Sequence, residues 1–371
     1  MTSPVYEVFL YQDETRLSEL EYTRLEVASR FLSKGRWEAT VPKLPHALTW
    51  RTRIQVIRNG IPVFSGPLTK IRRRWTYAET DSRVLVGTCD MKYIANAIVN
   101  PGGNGEWYPG VTIGYDTRQG IAETVIRGYI SDNIGPTALT RRQQGITLES
   151  DGGRGGEITA EGNLQNLLEF CVDLALQGRI GFQVLDKTLK FYTPQDRTGE
   201  IVFSPDLDNL KEFEYEASVP EYNVVVAGSA IRTDLGRFFD DESNPELVEG
   251  DGPVETFLDS RSTPAYRLKD VAQAQLIKVA EGDLNLHIIP GAQAVDNMDP
   301  YDDYFLGDLV TAVVDGEVIS ATVQELGLLV TKDDVHEHAT LGSFGNNSGT
   351  ISVGTLLKAL SSRTRNLEAS A

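Results

Sequence analysis

The sequence predicts a mainly β protein with an α+β insertion. Three observations carry that expectation. Short stretches alternate apolar and polar residues with the period of a strand, 34 glycines and 16 prolines punctuate them, and helical apolar spacing is concentrated in residues 91–200. At 371 residues the chain has room for about two to four domains of roughly 100 to 200 residues each.

Residues 1–90 are expected to form strands joined by tight turns. Val5 to Leu10 is an apolar strand that Gln12-Asp13-Glu14 breaks, and alternation resumes from Leu20 to Val27. From Gly35 to Pro42, strand geometry places Trp37, Ala39 and Val41 on one face, and Pro42, lacking an N–H, ends the pairing. Ile54 and Val56 face away from Arg51, Arg53 and Gln55, and Asn59-Gly60 supplies the left-handed φ angles of a two-residue hairpin. The return strand reaches Phe64 and stops at Gly66-Pro67; Leu68 to Tyr77 then carries Arg72, Arg73 and Arg74. Such short antiparallel strands fit a small barrel or sandwich.

In residues 91–200, Asp90 can cap a helix presenting Met91, Ile94, Ala95 and Ile98. A second helix fits Thr117 to Ile130, and a third starts at Asn163, buries Leu164, Leu167, Leu168, Cys171, Val172 and Ala175, and stops at Gly178. Arg141 to Gly156 reads as an exposed Gly-rich loop, followed by a hairpin of Ile180–Leu185 and Thr188–Tyr192 around Asp186-Lys187. Strands return at Lys211–Ala217 and Tyr222–Ala227. Residues 233–299 interrupt them with an acidic loop and a helix, Leu268–Ala280. Leu309–Val314, Glu317–Glu325, Leu326–Thr331 and His336–Leu341 complete a second β-region made of 201–232 and 300–345, and 346–371 form a polar tail.

The formal charge of −18, from 35 basic and 53 acidic residues, argues against general nucleic-acid binding. Two cysteines, Cys89 and Cys171, are too few for a disulfide framework and fit a reducing compartment. Met1-Thr2-Ser3-Pro4 does not resemble a signal peptide, and no segment has the apolar length of a membrane span, so no membrane anchor is expected.

Catalytic and metal-binding patterns are sparse. Of His46, His287, His336 and His338, the last two would share a strand face, but no third ligand is identifiable, and they read as solvated edge residues. Asp299-Pro300-Tyr301-Asp302-Asp303 lacks the ligand spacing of a Ca²⁺ loop and reads as an acidic turn. Asp151-Gly152-Gly153-Arg154-Gly155-Gly156 has no following Lys-Ser/Thr and reads as a flexible loop rather than a phosphate cradle. No nucleophile elbow is present, and neither cysteine has a recognisable catalytic partner. An enzyme, a cofactor and a bound metal are therefore not expected.

Several segments point further when taken in order: Gly35-Arg36-Trp37 through Val41-Pro42 with Pro45-His46-Ala47; Ile54 through Gly60 to Phe64-Ser65-Gly66; Val202-Phe203-Ser204 followed by Tyr222 to Gly228; Glu255 to Arg261; and Tyr304 to Val310. In that order and spacing the chain resembles the minor tail, or tail-tip baseplate hub, proteins of long non-contractile-tailed siphovirus bacteriophages, of the actinobacteriophage type. The resemblance implies two tail-tube-like antiparallel β-barrels, residues 1–90 and 201–232 with 300–345, and an α+β insertion domain, 91–200. It implies a homotrimer forming a pseudo-sixfold ring that caps the tail tube, adapts it to a threefold tip and opens a channel for DNA and the tape-measure protein. The implied partners are a distal tail protein ring above and tip, fibre or receptor-binding proteins below. The implied location is the virion tail tip, after synthesis in the host bacterial cytoplasm. A tail-associated cell-wall hydrolase and a receptor- or glycan-binding tail module are the alternatives; the absence of a catalytic motif favours the structural hub.

Charge is uneven along the chain. Residues 1–90 carry 14 basic and 10 acidic residues, a net of +4, and residues 91–371 a net of −22. Positions 39–78 hold eight basic and no acidic residues, while 240–259 hold eight acidic and no basic ones. Arg51, Arg53, Arg72, Arg73 and Arg74 on one side, and Asp240, Asp241, Glu242, Glu246 and Glu249 on the other, are thus the candidate inter-subunit charge contacts.

Overall fold

Strands dominate the computed structural model, which describes residues 4–12, 15–45, 48–75, 82–103, 105, 114–207, 209–217, 221–229, 236–259, 268–279, 284–290, 299–314, 316–332 and 334–342. In chain order the first elements are β1 (Tyr6–Gln12), β2 (Thr15–Glu19), β3 (Arg24–Arg30), β4 (Arg36–Val41), β5 (Thr52–Arg58), β6 (Ile61–Arg74) and β7 (Ser82–Thr88). Then come α1 (Lys92–Ala95), β8 (Asp116–Ile121), α2 (Ala122–Ile134), β9 (Thr147–Leu148), β10 (Glu157–Gly162), α3 (Leu167–Gly178), β11 (Gly181–Leu185) and β12 (Thr188–Tyr192). The remainder comprises β13 (Val202–Phe203), β14 (Leu210–Ala217), β15 (Val224–Gly228), β16 (Phe239–Ser243), α4 (Pro245–Asp251), β17 (Glu255–Asp259), α5 (Leu268–Val279), β18 (Leu284–Pro290), β19 (Leu309–Val314), β20 (Glu317–Thr331) and β21 (Val335–Gly342). The chain divides into two units. One is Met1–Arg197 with Val295–Leu309 and Val323–Ala339; the other is Thr198–Ala294 with Val310–Thr322 and Thr340–Ala371.

In the first unit the strands pair in the order β2, β1, β5, β6, β7, β4, β3, and Glu325–Thr331 of β20 adds beside β3. Alternation sends Leu25, Trp37, Ala39, Ile54, Val56 and Leu85 into the core. Asn59 and Gly60 take φ of 50° and 83° at the β5–β6 hairpin, as their residue types require. The expected stop at Gly66-Pro67 does not occur, and residues 82–88, to which the sequence assigns no strand, form β7. β6 runs through that site, pairing with β5 up to Pro67 and with β7 from Leu68, with register shifts on both sides. A Cβ at Gly66 would lie 1.9 Å from the Thr88 carbonyl oxygen, so only glycine lets the strand turn this corner.

The helices of the insertion are shorter than their apolar spacing suggests. Asp116–Ile121 pairs with β10 as an antiparallel strand, and α2 begins only at Ala122; ladder bonds outweigh local helical period there. Asn166 caps α3, its Oδ1 accepting from the Leu168 and Glu169 amides, and Leu164 at φ 58° stays outside the helix and exposed. α1 is a single turn, and Asp90 does not cap it.

In the second unit β15 pairs antiparallel with β16 and parallel with β17. α5 packs on one face of this sheet, where Val225, Ala227, Leu268, Ala272 and Leu276 form a buried cluster. The structure thus differs from the expectation for 233–299: the acidic stretch folds into β16, α4 and β17 around β15. The apolar run Val224-Val225-Val226 explains this, since such a strand is stable only with hydrogen-bonded neighbours on both edges and, on its Val225 face, the cover that α5 supplies. β14 pairs with β18, and β13 pairs in parallel with β19. β20 is one continuous strand rather than two. Among the described residues no sheet closes on itself. The polar tail lies outside the described residues, as does His46.

Candidate assembly interface

The basic run is built on the far half of β6. From Thr69 through Trp75 every residue is exposed, on both faces of the strand, and among the described residues this half pairs only with β7. Edge position, arginines and lysine on both faces and a 67% exposed Trp75 make it a basic, aromatic-tipped arm. Arg72, Arg73 and Arg74 are presented there, with Arg72 paired across β7 to Glu38 of β4. Arg51 is exposed in the turn just before β5.

Arg53 corrects the expectation. Its side chain is 5% exposed and pairs with the fully buried Asp90 and, at 3.4 Å, with Asp186. The Ser65 hydroxyl donates to Asp90 at 2.6 Å and the Lys187 amide to the same oxygen at 3.2 Å. Asp186 and Lys187 are both left-handed, at φ 50° and 58°. Arg53 therefore holds the β11–β12 turn against the sheet within one chain and is not a surface contact.

The acidic run divides by strand alternation. Asp241 is exposed on one face of β16, while Asp240 and Glu242 are half-buried on the other, where Glu242 meets Lys269 of α5 at 3.0 Å. Glu249 is exposed on α4; the Glu246 side chain lies outside the described residues. The acids thus form two surfaces rather than one.

Two charged centres escaped the sequence reading. Arg58, 4% exposed, meets Glu337 at 2.9 Å, Asp302 at 2.8 Å and Asp299 at 3.6 Å. The acidic turn at 299–303 is therefore a cap on a buried guanidinium. Glu123, buried on α2, accepts from the Gly152 amide at 2.9 Å, the Arg154 amide at 2.8 Å and the Arg154 guanidinium at 2.9 Å. The Gly-rich loop is thus a nest of amides around the chain's own carboxylate. His336 lies 3.0 Å from Asp334, and among the described residues no group of three metal-ligating side chains occurs.

Comparison with known proteins places this geometry. The model of the siphovirus ReqiPepy6 Gp37-like protein family matches residues 10–343. No curated protein matches the sequence. Among solved structures, the tail protein from Neisseria meningitidis MC58 superposes with a TM-score of 0.58 at 13% identity, covering 91% of this chain and 96% of that one. The 43 kDa tail protein of prophage MuSo2 from Shewanella oneidensis gives 0.57 at 11% identity, with 90% and 98% covered. Prophage tail protein gp18 from Listeria monocytogenes EGD-e gives 0.52 at 10% identity, with 96% and 98% covered. At these identities the likeness is one of fold.

Proposed function

Because the chain belongs to the siphovirus ReqiPepy6 Gp37-like family of phage tail proteins, we propose that it is the structural hub of the tail tip. The chain is a component of the virion tail. Three copies, each giving two tube-like β-regions, form a pseudo-sixfold ring that caps the tube. A distal tail protein ring lies above, and tip, fibre or receptor-binding proteins lie below. The ring leaves a channel for the tape-measure protein and for DNA in transit, and acidic walls would keep phosphate affinity low. The role is structural rather than catalytic.

The observation that carries this reading is the continuous family match over residues 10–343, which takes in both β-regions and the insertion together. Subunits meet partly through opposite charge: Arg51, Arg72, Arg73 and Arg74 against Asp241, Glu249 and their acidic neighbours, a pairing that sets register as much as affinity. Sedimentation of the purified protein tests the reading. A species of three times the chain mass that dissociates with rising salt supports it, and a monomer at all protein concentrations opposes it.

A further inference from the structure

We propose that the outer face of the β16–β15–β17 sheet is the docking site for the basic arm, Thr69–Trp75, of a second copy of this chain. The proposal rests on the hub reading for the presence of that second copy.

α5 covers only one face of the sheet. Strand alternation places Phe239 and Asp241, Val226, and Glu255, Phe257 and Asp259 on the other. Phe239 is 58% and Phe257 50% exposed, and the adjacent Phe238 is 43% exposed. Large aromatic side chains left this open are ordinary one at a time, but the pair Phe239 and Phe257 together on one sheet face marks an interaction surface.

The rings are also held in place. Their centroids lie 6.2 Å apart. The Arg237 guanidinium sits 5.7 Å from the Phe239 centroid and 4.8 Å from that of Phe257. It donates to the Gly228 carbonyl at 2.9 Å and pairs with Asp259. A Cβ at position 228 would stand 2.9 Å from the Phe257 ring and 2.8 Å from Arg237 Nε, so glycine is what lets the ring lie over β15. A platform ordered before binding spends little entropy in forming the contact.

An aromatic platform rimmed by Asp241 and Glu255, beside the Arg237–Asp259 pair, fits a segment that carries both apolar rings and cations. The arm has that composition: Trp75 at 67% and Ile71 at 36% exposure, interleaved with Lys70, Arg72, Arg73 and Arg74. Trp and Arg are the residue types that anchor protein interfaces. The net charges of +4 for residues 1–90 and −22 for residues 91–371 are opposite, which favours a contact between the first part of one copy and the second part of another.

Trp75→Cys and Phe257→Cys chains, prepared separately, mixed and treated with a short bismaleimide, test the contact. Cys89 and Cys171 are buried and do not compete. The mixture should yield at least about ten times the cross-linked dimer of either chain alone, or of Leu17→Cys mixed with Phe257→Cys. Phe239→Cys should substitute for Phe257→Cys. All positions are exposed, so thermal melting verifies that each variant folds. If oligomers form without that cross-link, the docking site is wrong and the hub reading stands. If the cross-link forms only inside a doubly substituted chain, the occupant is the chain's own arm and the proposal fails. Cross-linking in a protein that makes no closed ring supports the contact and opposes the hub.

Discussion

Arg58 Nε donates to Glu337 Oε1 at 2.9 Å, joining residues 279 positions apart. The Tyr6 hydroxyl donates to the same oxygen. Burial first, and the Glu337 charge second, push that phenol above its usual range and keep it a donor. Removing one member of a buried ion pair strands the other, at a cost of about 3 to 5 kcal/mol. Arg58→Met should destabilise by about that amount in urea unfolding, and Glu337→Gln in the same background should recover part of the loss.

The Asp186-Lys187 turn holds two non-glycine residues in the left-handed region. Asp186 contributes an ion pair to Arg53, whereas the Lys187 ammonium stands 5.8 Å from the Tyr93 ring centroid. Lys187→Gly should therefore raise stability by about 1 kcal/mol, the scale of left-handed strain. Asp186→Gly should give no such gain. Thermal melting of the two variants makes the comparison.

Burial is the main cause that pushes the Cys89 thiol from its ordinary 9.0 up to about 11, and it pushes Cys171 up as well. An acid whose pKa is raised by folding contributes stability that is complete below its unfolded pKa and lost as pH rises through the folded one. Stability should therefore fall between about pH 9 and 11, by about 2 to 3 kcal/mol for Cys89 at one unit per 1.36 kcal/mol. Serine at position 89 should make this part of the pH profile shallower, with the Cys171 contribution remaining. In the native protein at pH 8 neither thiol should react with a disulfide reagent.

Glu123 organises the Gly-rich loop through the Gly152 and Arg154 amides. Glu123→Ala leaves those donors without their acceptor and should cost about 2 kcal/mol. Trypsin should then cut after Arg154 in the variant faster than in the parent protein, as read by mass spectrometry of the fragments.

These cases also mark what a sequence reveals. The Asn59-Gly60 hairpin, the face shared by Trp37, Ala39 and Val41, and the β11–β12 hairpin were legible because turn chemistry and strand period are local. Arg53 looked like a surface charge because its partner Asp90 is 37 positions away and itself resembled a helix cap. Arg58 carried no local signal at all, since its partners are 244 and 279 positions distant. Thr117–Ile121 has a helical pattern but a strand partner in β10, a non-local fact. The acidic stretch at 240–259 showed its charge but not its strands, because alternation there places Asp and Glu where apolar residues normally signal a buried face.

Reversal of the arm tests the charge pairing. Arg72→Glu, Arg73→Glu and Arg74→Glu together should abolish self-association at low salt while leaving the melting temperature within a few degrees, because all three side chains are exposed. Normal assembly of this variant would remove charge complementarity from the account.

Direct imaging of the purified protein by electron microscopy, with particles averaged without imposed symmetry, bears on the hub itself. A threefold ring with a central hole wide enough for duplex DNA is the expected image. Compact particles without a hole, or rings of any other order, would contradict it.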